Sequence, residues 1–406
     1  MVTGRADIAP SHPWISFQAD LSRAGAEFWM FLGEARSKVV RLNQSLLRPE
    51  VAQAINTLYL AKGVHATTAI EGNTLSEEDA IALVEGRQLH LPPSREYLAR
   101  EAENIVGACN WIKDELLNGR QAALTMDLLR EFNRCVLEGL ELEDGVVPGE
   151  IRTHSVGVGR RYLAPPHETV QGLLSQLFGW LAGDSFRPQS TDWIVPLAVV
   201  RAALAHLYIA WIHPFGDGNG RTARLVEVWT LLAAGFPMPA AHLLSNHYNE
   251  TRTEYDRQLD YASRSGGDIL PFLRYAAEGF IAGLRAQLDT IFYQQWTDRW
   301  EQYIYEQFAG MATPARVRQR ELALELSKQD QPVRRGDIAM LSVALNEAYR
   351  GTVRTLARDL NALVELGLVE RSALGYSPRK DVLVAFLPLR PAALADTDDP
   401  SASPSA

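Results

Sequence analysis

The stretch His213-Pro214-Phe215-Gly216-Asp217-Gly218-Asn219-Gly220-Arg221-Thr222-Ala223-Arg224 joins two apolar segments, residues 192–212 and 222–234. Both segments carry apolar residues at helical spacing, which predicts a helix–loop–helix joint. Three glycines in five positions allow the loop to bring its amides close to a ligand. The loop opens onto the start of a helix, where the first N–H groups lack partners and favour an anion.

The charged residues of this stretch have the chemistry of phosphate transfer. Arg221 and Arg224 are spaced i, i+3, so both reach the same end of the second helix. Asp217 supplies a carboxylate of the kind that Mg²⁺ prefers, and His213 moves protons near neutral pH. Together they predict a base, a metal ligand and an anion site.

A simpler alternative is a hairpin turn, because Asp-Gly and Asn-Gly are the commonest turn pairs. Alternating strands should then flank the turn, yet Leu225, Val228 and Leu231 repeat at helical steps. Taken singly, Asp217 is more often a helix cap and His213 a packed core residue. Their occurrence together in one loop favours a functional site.

The stretch resembles, without a gap, the signature of the Fic family, His-x-Phe-x-Asp/Glu-Gly-Asn-Gly-Arg-x-x-Arg. The resemblance implies a nucleotidyl transferase that usually moves AMP from ATP onto a protein hydroxyl. By position, His213 corresponds to the base that deprotonates the incoming Ser, Thr or Tyr. Asp217 corresponds to the Mg²⁺ ligand, and Phe215 to a core anchor of the loop.

The same resemblance assigns the nucleotide contacts. Gly218, Asn219 and Gly220 correspond to the amide nest for the α- and β-phosphates. Arg221 corresponds to the residue that holds the β-phosphate, and Arg224 to the one that meets the γ-phosphate. The resemblance therefore makes ATP the expected substrate and Mg²⁺ the expected cofactor.

A second short motif, Thr67-Thr68-Ala69-Ile70-Glu71-Gly72, precedes the signature. Read locally, Gly72 and Asn73 end a helix in the left-handed conformation, and Ser76 with Asp79 caps the next one. That geometry leaves the carboxylate of Glu71 without a role.

Fic proteins carry a Ser/Thr-x-x-x-Glu-Gly/Asn inhibitory motif, which Thr67, Glu71 and Gly72 match. A carboxylate that pairs with Arg224 would occupy the cation needed by the γ-phosphate and repel that phosphate. The resemblance therefore implies an enzyme that is inhibited by its own N-terminal region.

Residues 155–163 alternate about a glycine, which predicts a short hairpin. An ordinary surface hairpin is the alternative, whereas in Fic proteins this flap aligns the target segment by backbone pairing. The flap residues would be Val156, Gly157 and Val158.

Residues 252–259 resemble the adenine-side helix of the family, with two departures. Asp256 replaces a second aromatic residue, and Ser263 replaces an asparagine. Tyr255 is equally explained by packing, so the identity of the base stays open.

Residues 311–390 contain 13 Lys and Arg against 9 Asp and Glu, whereas the rest of the chain is strongly acidic. Helices at 338–348 and 351–366, followed by strands at 368–371 and 382–384, resemble a winged helix-turn-helix. Val353, Leu356 and Leu360 would face its core with Leu363, while Arg354 and Arg358 project elsewhere. One alternative is that this domain recognises DNA with a helix in a groove. The other is that it is an interaction or dimerisation module that keeps the fold but does not read DNA.

The composition is that of an ordinary globular protein, with 47% hydrophobic and 22% charged residues in 406. A net charge of −9 argues against general nucleic-acid binding by the whole chain. Two cysteines predict no disulfide scaffold and fit a reducing cytoplasm. We expect no signal peptide and no apolar run approaching the roughly 20 residues of a membrane helix.

These observations predict a mainly α protein: a Fic-type helical core with a short β-hairpin flap, and a C-terminal winged helix-turn-helix domain. The expected divisions are an N-terminal helical region with the inhibitory motif (1–100), the catalytic core (101–290), a helical linker (291–310), the winged helix (311–390) and a disordered tail (391–406). The expected partner is a protein with a hydroxyl side chain, the chain itself included. A homodimer and DNA binding through residues 311–390 are left open. Two alternative functions are a nucleotide-sensing transcriptional regulator and a Glu71-dependent enzyme that removes AMP.

Overall fold

The structure is a computed structural model that describes residues 11–120, 123–158 and 162–383. The chain divides into two compact units, the first ending at Ile291 and the second beginning at Phe292. The tail predicted at 391–406 lies outside the described residues, as do residues 1–10 and 159–161.

The first unit is built from helices around one hydrophobic core, with one small hairpin. Its elements are α1 (Gly25–Asn43), α2 (Pro49–Ala69), α3 (Glu77–Val84), α4 (Glu96–Leu117), α5 (Met126–Leu137), β1 (Gly157–Val158), β2 (Tyr162–Leu163), α6 (His167–Leu181), α7 (Ile194–Ile212), α8 (Asn219–Ala233), α9 (Met238–Ala241), α10 (Leu243–Glu250), α11 (Arg252–Arg264) and α12 (Leu270–Gln307), whose last turns belong to the second unit. The mainly helical fold class is confirmed, and so is the short hairpin, in which Gly157 pairs with Leu163.

The pair α7 and α8 occupies the centre of this unit, which is why the loop between them is held rigidly. Helix α7 is apolar on all sides and nearly every residue from Val195 to Ile212 is buried, as expected for a helix that is surrounded by others. The segment Thr191–Ile212 has a mean hydropathy of 1.7 and is long enough to cross a membrane, so the expectation of no such run is wrong. Because 78% of that apolar window is buried inside the protein, it behaves as a core helix.

The turn after α2 differs in one respect from the sequence reading. Gly72 is left-handed, with φ 97°, but Asn73 is not. The cap of α3 is confirmed: the Ser76 side chain accepts from the Asp79 amide, and the Asp79 carboxylate accepts from the Ser76 amide. Asn73 has a different role, described below.

The second unit has its own core, to which the end of α12 contributes Trp300 and Ile304, and the residue after it, Phe308, also belongs to this core. The segment expected to act as a linker therefore supplies core side chains. The remaining elements are α13 (Pro314–Ser327), α14 (Val343–Tyr349), α15 (Val353–Glu365), β3 (Val369–Arg371) and β4 (Tyr376–Pro378).

Three details of the second unit differ from the sequence reading. The partner of β3 is β4, whereas Lys380–Leu383 forms a 3₁₀ turn instead of the strand expected at 382–384. Val353 is 66% exposed because it lies at the very start of α15, before the helix reaches the core. Helix α13 was not anticipated, since its alternating charges hide the buried Leu322 and Leu326.

Candidate active site

His213 is the residue at which α7 ends. Its backbone is left-handed, with φ 49° and ψ 64°, and its amide still donates to the Ile209 carbonyl at 2.8 Å. A non-glycine residue in this conformation is uncommon and marks a position fixed by its surroundings. Burial lowers the pKa of His213 to about 4, so its imidazole is neutral at pH 7 and free to accept a proton.

Two asparagines brace the loop that follows. The Asn219 side chain accepts from the Phe215 amide and donates to the Phe215 carbonyl, both at 2.9 Å. Asn133 on α5 donates to the Asp217 carbonyl at 2.9 Å and accepts from the Gly149 amide at 2.9 Å. Asn219 therefore contributes to an anion nest only through its backbone, because its amide side chain is committed to the loop.

Arg152 fixes the backbone of the base. It is only 4% exposed and its guanidinium donates to the carbonyls of His213 at 2.7 Å, His154 at 2.8 Å and Pro165 at 2.6 Å. Its own amide donates to the Pro214 carbonyl at 3.0 Å. Charge-assisted bonds to several carbonyls satisfy a buried cation without a carboxylate, and here they hold His213 in place.

Arg224 and Glu71 form the ion pair that the N-terminal motif predicts. The Arg224 Nη2 lies 2.5 Å from Oε1 of Glu71 and also donates to the Thr67 carbonyl at 2.9 Å. The Arg224 side chain is 1% exposed, and its Nε and Nη1 find no acceptor among the described residues. Burial acts to raise the pKa of Glu71, but the charges of Arg224, Arg221 and Arg252 outweigh it, and the pKa lies below its ordinary value.

Glu71 also lies directly over the start of α8. A Cβ added at Gly220 would collide with Oε1 of Glu71 and come within 3.2 Å of Nη1 of Arg224. The Gly220 amide belongs to the first helical turn, which has no acceptor within its own helix. The carboxylate therefore occupies the place beside Arg224 and Gly220 where an anion would bind.

Arg221 is held by a different carboxylate. Its Nη1 donates to Oε1 of Glu101 on α4 at 3.1 Å, and its Nη2 lies 3.5 Å from Oδ1 of Asp217. The Arg221 side chain is 6% exposed and that of Asp217 is 52% exposed. The loop thus places one arginine beside the predicted metal ligand and the other beside Glu71.

A cavity of about 550 Å³ adjoins these groups, within the range of small-molecule sites. His213, Gly220 and Glu71 line one part, and Tyr255, Asp256 and Ser263 line another. Tyr255 is buried with its hydroxyl 2.9 Å from Nε2 of His206. Its ring therefore serves both packing and the cavity wall.

The donor set around Asp217 fits a magnesium ion that also binds phosphate oxygens. Mg²⁺ is commonly held by one or two carboxylates together with substrate phosphates rather than by a full protein cage. The Asp217 carboxylate is half-exposed, and its contacts with the Gly218 amide (2.5 Å) and Arg221 both fall on Oδ1. Among the described residues no group of three His, Cys, Asp or Glu side chains is placed to hold a metal ion by itself.

The hairpin contains two of the three predicted flap residues. Gly157 and Val158 form β1, and Val156 precedes it, accepting through its carbonyl from the Ala164 amide at 3.1 Å. Tyr162 of β2 donates its hydroxyl to the Trp211 carbonyl at 2.6 Å. That bond ties the hairpin to the last turn of α7, two residues before His213.

Three functional contacts escaped the sequence reading: Arg152, Asn133 and Glu101. Nothing in the local sequence around any of the three distinguishes a residue that supports the site from an ordinary polar residue, because their partners lie 61 to 120 positions away.

Comparison with known proteins agrees with this geometry. Residues 123–231 match the model of the Fic/DOC family. This part of the chain is similar to a Fic/DOC domain. That match includes the whole loop between α7 and α8, whereas Glu71 and Glu101 lie before it.

Two curated relatives match a longer part of the chain than the family model does. The protein adenylyltransferase fic-1 of Caenorhabditis elegans is 36% identical over 218 residues, which are 53% of this chain and 38% of the relative. The protein adenylyltransferase Fic of Culex quinquefasciatus is 31% identical over 246 residues, 60% of this chain and 44% of the relative. The chain therefore spans less than half the length of these two relatives.

Solved Fic structures share the fold. A Fic family protein from Desulfovibrio desulfuricans G20 has a TM-score of 0.52 at 21% identity, covering 86% of this chain and 91% of that one. A fragment of Fic-1 from C. elegans also has a TM-score of 0.52, at 29% identity, covering 66% of this chain and 73% of that one.

Proposed function

We propose that this protein transfers AMP from ATP to a hydroxyl group of a target protein, and that Glu71 inhibits the transfer. The observation that carries the proposal is a neutral His213 lining the same cavity as Gly220 and Glu71, beside two buried arginines. The adenylyltransferase names of the relatives support the same reaction.

In the proposed reaction the target hydroxyl gives its proton to His213 and its oxygen attacks the α-phosphorus of ATP. A phosphorus–oxygen bond forms to the target, the bond to pyrophosphate breaks, and the products are an AMP ester and pyrophosphate. Arg221, Arg224 and the first amides of α8 stabilise the charge that moves onto pyrophosphate. A Mg²⁺ ion on Asp217 would neutralise part of that phosphate charge. The edge of β1 at Gly157 would align the target segment through backbone pairing.

Inhibition follows from the position of Glu71. The Arg224 guanidinium is permanently charged and pairs with the nearest carboxylate until a better anion replaces it. With Glu71 in place, a γ-phosphate meets an occupied cation and a like charge. ATP would then bind with its phosphates displaced from the in-line geometry that transfer needs.

The direct test is intact-mass analysis of the purified full chain with ATP and Mg²⁺, using the Glu71→Gly variant to remove the inhibition. We expect an AMP-sized increase in mass on the chain itself or on an added target. The matched control is Glu71→Gly with His213→Ala, which should show none. A folded Glu71→Gly variant that binds ATP but never forms a protein-bound AMP ester contradicts the proposal.

A second candidate reaction, removal of AMP by water, is favoured by one observation. Glu71 is 36% exposed and lines the cavity with His213, so its carboxylate can orient a water molecule there. In that case Glu71→Gly would lose activity on an AMP-modified substrate, whereas the inhibitory role requires transfer to rise.

For the second unit we propose a winged helix that has the capacity to bind DNA. Helices α13–α15 are followed by the hairpin β3–β4, and Arg354 and Arg358 are exposed on α15. Changing both arginines to Ala should weaken duplex DNA binding and flatten its salt dependence. The double variant should retain AMP transfer. If the wild-type chain binds no duplex DNA at low salt, DNA binding is excluded and the second unit is an interaction module instead.

A further inference from the structure

Glu101 on α4 touches two parts of the site at once. Its Oε1 accepts from Nη1 of Arg221 at 3.1 Å, and its Oε2 accepts from Nδ2 of Asn73 at 2.9 Å. Asn73 lies two residues after Glu71, in the turn that follows α2. One carboxylate therefore joins the phosphate-facing helix to the inhibitory turn.

The bond to Arg221 is largely shielded from water. The Arg221 side chain is 6% exposed and that of Glu101 is 17% exposed. A buried arginine that loses its carboxylate is left with an uncompensated charge and tends to reorient toward another acceptor. Asp217, whose Oδ1 lies 3.5 Å from Nη2 of Arg221, is such an acceptor. Glu101 thus determines which way Arg221 points.

The bond to Asn73 fixes the turn in the same manner. Asn73 is 7% exposed, and its side-chain amide also donates to the Leu98 carbonyl at 2.9 Å. Its side-chain oxygen accepts from the Leu75 amide at 3.0 Å. The bonds to Leu98 and Glu101 hold the turn against α4, and the bond from Leu75 closes the turn itself, so the backbone that carries Glu71 is anchored from its C-terminal side.

We propose that Glu101 is a positioning residue with two tasks: it orients Arg221 toward the phosphates, and through Asn73 it anchors the turn that presents Glu71 to Arg224. The inference rests on the AMP transfer proposed above. Its consequence is an asymmetry between two changes. Loss of Asn73 should affect inhibition alone, whereas loss of Glu101 should affect the reaction even after Glu71 has been removed.

The first arm of the test measures catalysis in the Glu71→Gly background. Glu101→Ala should lower kcat roughly tenfold, because one charge-assisted bond positions Arg221, whereas Glu101→Gln keeps an acceptor oxygen and should stay within about threefold. Glu103→Ala is the matched control, since Glu103 lies on the same helix but is exposed and paired with Arg100. Thermal unfolding of each variant shows which proteins are folded.

Two results of this arm would overturn the positioning role. One is a folded Glu101→Ala variant with the kcat of the Glu103→Ala control. The other is a Glu101→Gln variant as impaired as Glu101→Ala, because geometry would then not be what Glu101 provides. Should Glu101→Ala fail to fold, Glu101→Leu, which fills the same space without an acceptor, takes its place in the comparison with Glu101→Gln.

The second arm measures inhibition with Glu71 present. Asn73→Ala should raise automodification several-fold over wild type and have no further effect in the Glu71→Gly background. Ser76→Ala is the matched control, because it breaks the neighbouring cap of α3 without touching Glu101. Equal activation by both variants, or none by Asn73→Ala, overturns the anchoring role.

ATP binding separates this inference from the proposed function. Calorimetry with ATP and Mg²⁺ should show weaker binding by Glu101→Ala than by Glu103→Ala, both in the Glu71→Gly background, whether or not AMP is transferred. If no AMP is transferred but Glu101→Ala binds ATP more weakly than Glu103→Ala, the proposed function is overturned and the positioning role of Glu101 stands. Transfer without any difference in kcat or affinity overturns the positioning role and leaves the function.

Discussion

The two arginines of α8 show how one helix uses the same residue type in two ways. Arg221 and Arg224 are both buried and both meet a carboxylate from an earlier helical region. Glu101, the partner of Arg221, lies within α4 and is 17% exposed. Glu71, the partner of Arg224, lies in the turn beyond the end of α2, is 36% exposed and lines the cavity.

The difference lies in what each carboxylate could do when an anion arrives. Glu101 is held by the backbone of a long helix and has bonds on both of its oxygens, so it stays where it is. The Glu71 side chain is bonded through Oε1 to Arg224 and faces the cavity, and its removal opens the space beside Gly220. We therefore propose that the ion pair Arg221–Glu101 keeps Arg221 in place during the reaction. The ion pair Arg224–Glu71, which faces the cavity, would instead keep the γ-phosphate from Arg224 until Glu71 is displaced.

The largest expected effect comes from removing His213, the proposed base of the reaction. His213→Ala should lower transfer by roughly 10²–10⁴-fold, as is typical for loss of a general base. Glu71→Gly should then give no advantage, because freeing Arg224 is useless without proton transfer. Labelled ATP and counting of protein-bound label would measure all four combinations.

Nucleotide binding provides the control for this first prediction. His213→Ala leaves Arg221, Arg224 and the loop in place, so affinity for ATP should be preserved. Undiminished transfer by the variant would exclude His213 as the base.

The next largest effect tests the ion pair between Glu71 and Arg224. Glu71→Gly should raise automodification about tenfold or more, since a charge-assisted pair contributes about 1.5–3 kcal/mol. The double variant with Arg224→Ala should lose that gain because the freed cation is missing. Wild type, single and double variants are compared at one ATP concentration.

A Glu71→Gly variant that is no more active than wild type would contradict the proposed inhibition of AMP transfer by Glu71. A less active one would favour the AMP-removing role of Glu71. Glu103→Ala serves as the matched surface control, since it removes an exposed carboxylate from an ion pair outside the site.

The smallest expected effect concerns pH. Burial lowers the pKa of His213 to about 4, so the base form is already complete at pH 6 and is lost only as the pH falls toward 4. In the wild type the pKa of the Glu71 carboxyl is also below the ordinary value of 4.5. The carboxylate is therefore charged and paired with Arg224 at pH 4.5 and above, and the pair is lost only as the pH falls below 4.5. Transfer by Glu71→Gly should therefore change by less than about twofold between pH 6 and 8. A sigmoid rise centred near 6.5 in a pH–rate profile would show that His213 is not buried as described.

The sequence predicts the parts of the site that are close together along the chain. His213 to Arg224 form one loop and one helix start, and glycine spacing and helical periodicity are local properties. The pairing of Glu71 with Arg224 was also anticipated, although only through the family resemblance. Its contact spans 153 positions in the chain, which no local pattern encodes.

The supporting contacts were missed for the same reason. Arg152 and Asn133 bond to the signature loop from 61 and 84 positions away, and Glu101 lies 120 positions from Arg221. Each is an ordinary polar residue in its own segment, and only packing gives it a partner. The strand Tyr376–Pro378 was not predicted, because Ser377 and Pro378 are not typical strand residues and conceal its pairing with β3.

The order of the two partners along the chain has a consequence for biosynthesis. A ribosome makes the N-terminal part first, at about 5–20 residues per second. Glu71 is therefore synthesised 153 positions ahead of its partner Arg224. By the time the loop at 213–224 leaves the ribosome, the segment that we propose to be inhibitory has already emerged, so a nascent chain has no stage at which this loop exists without it.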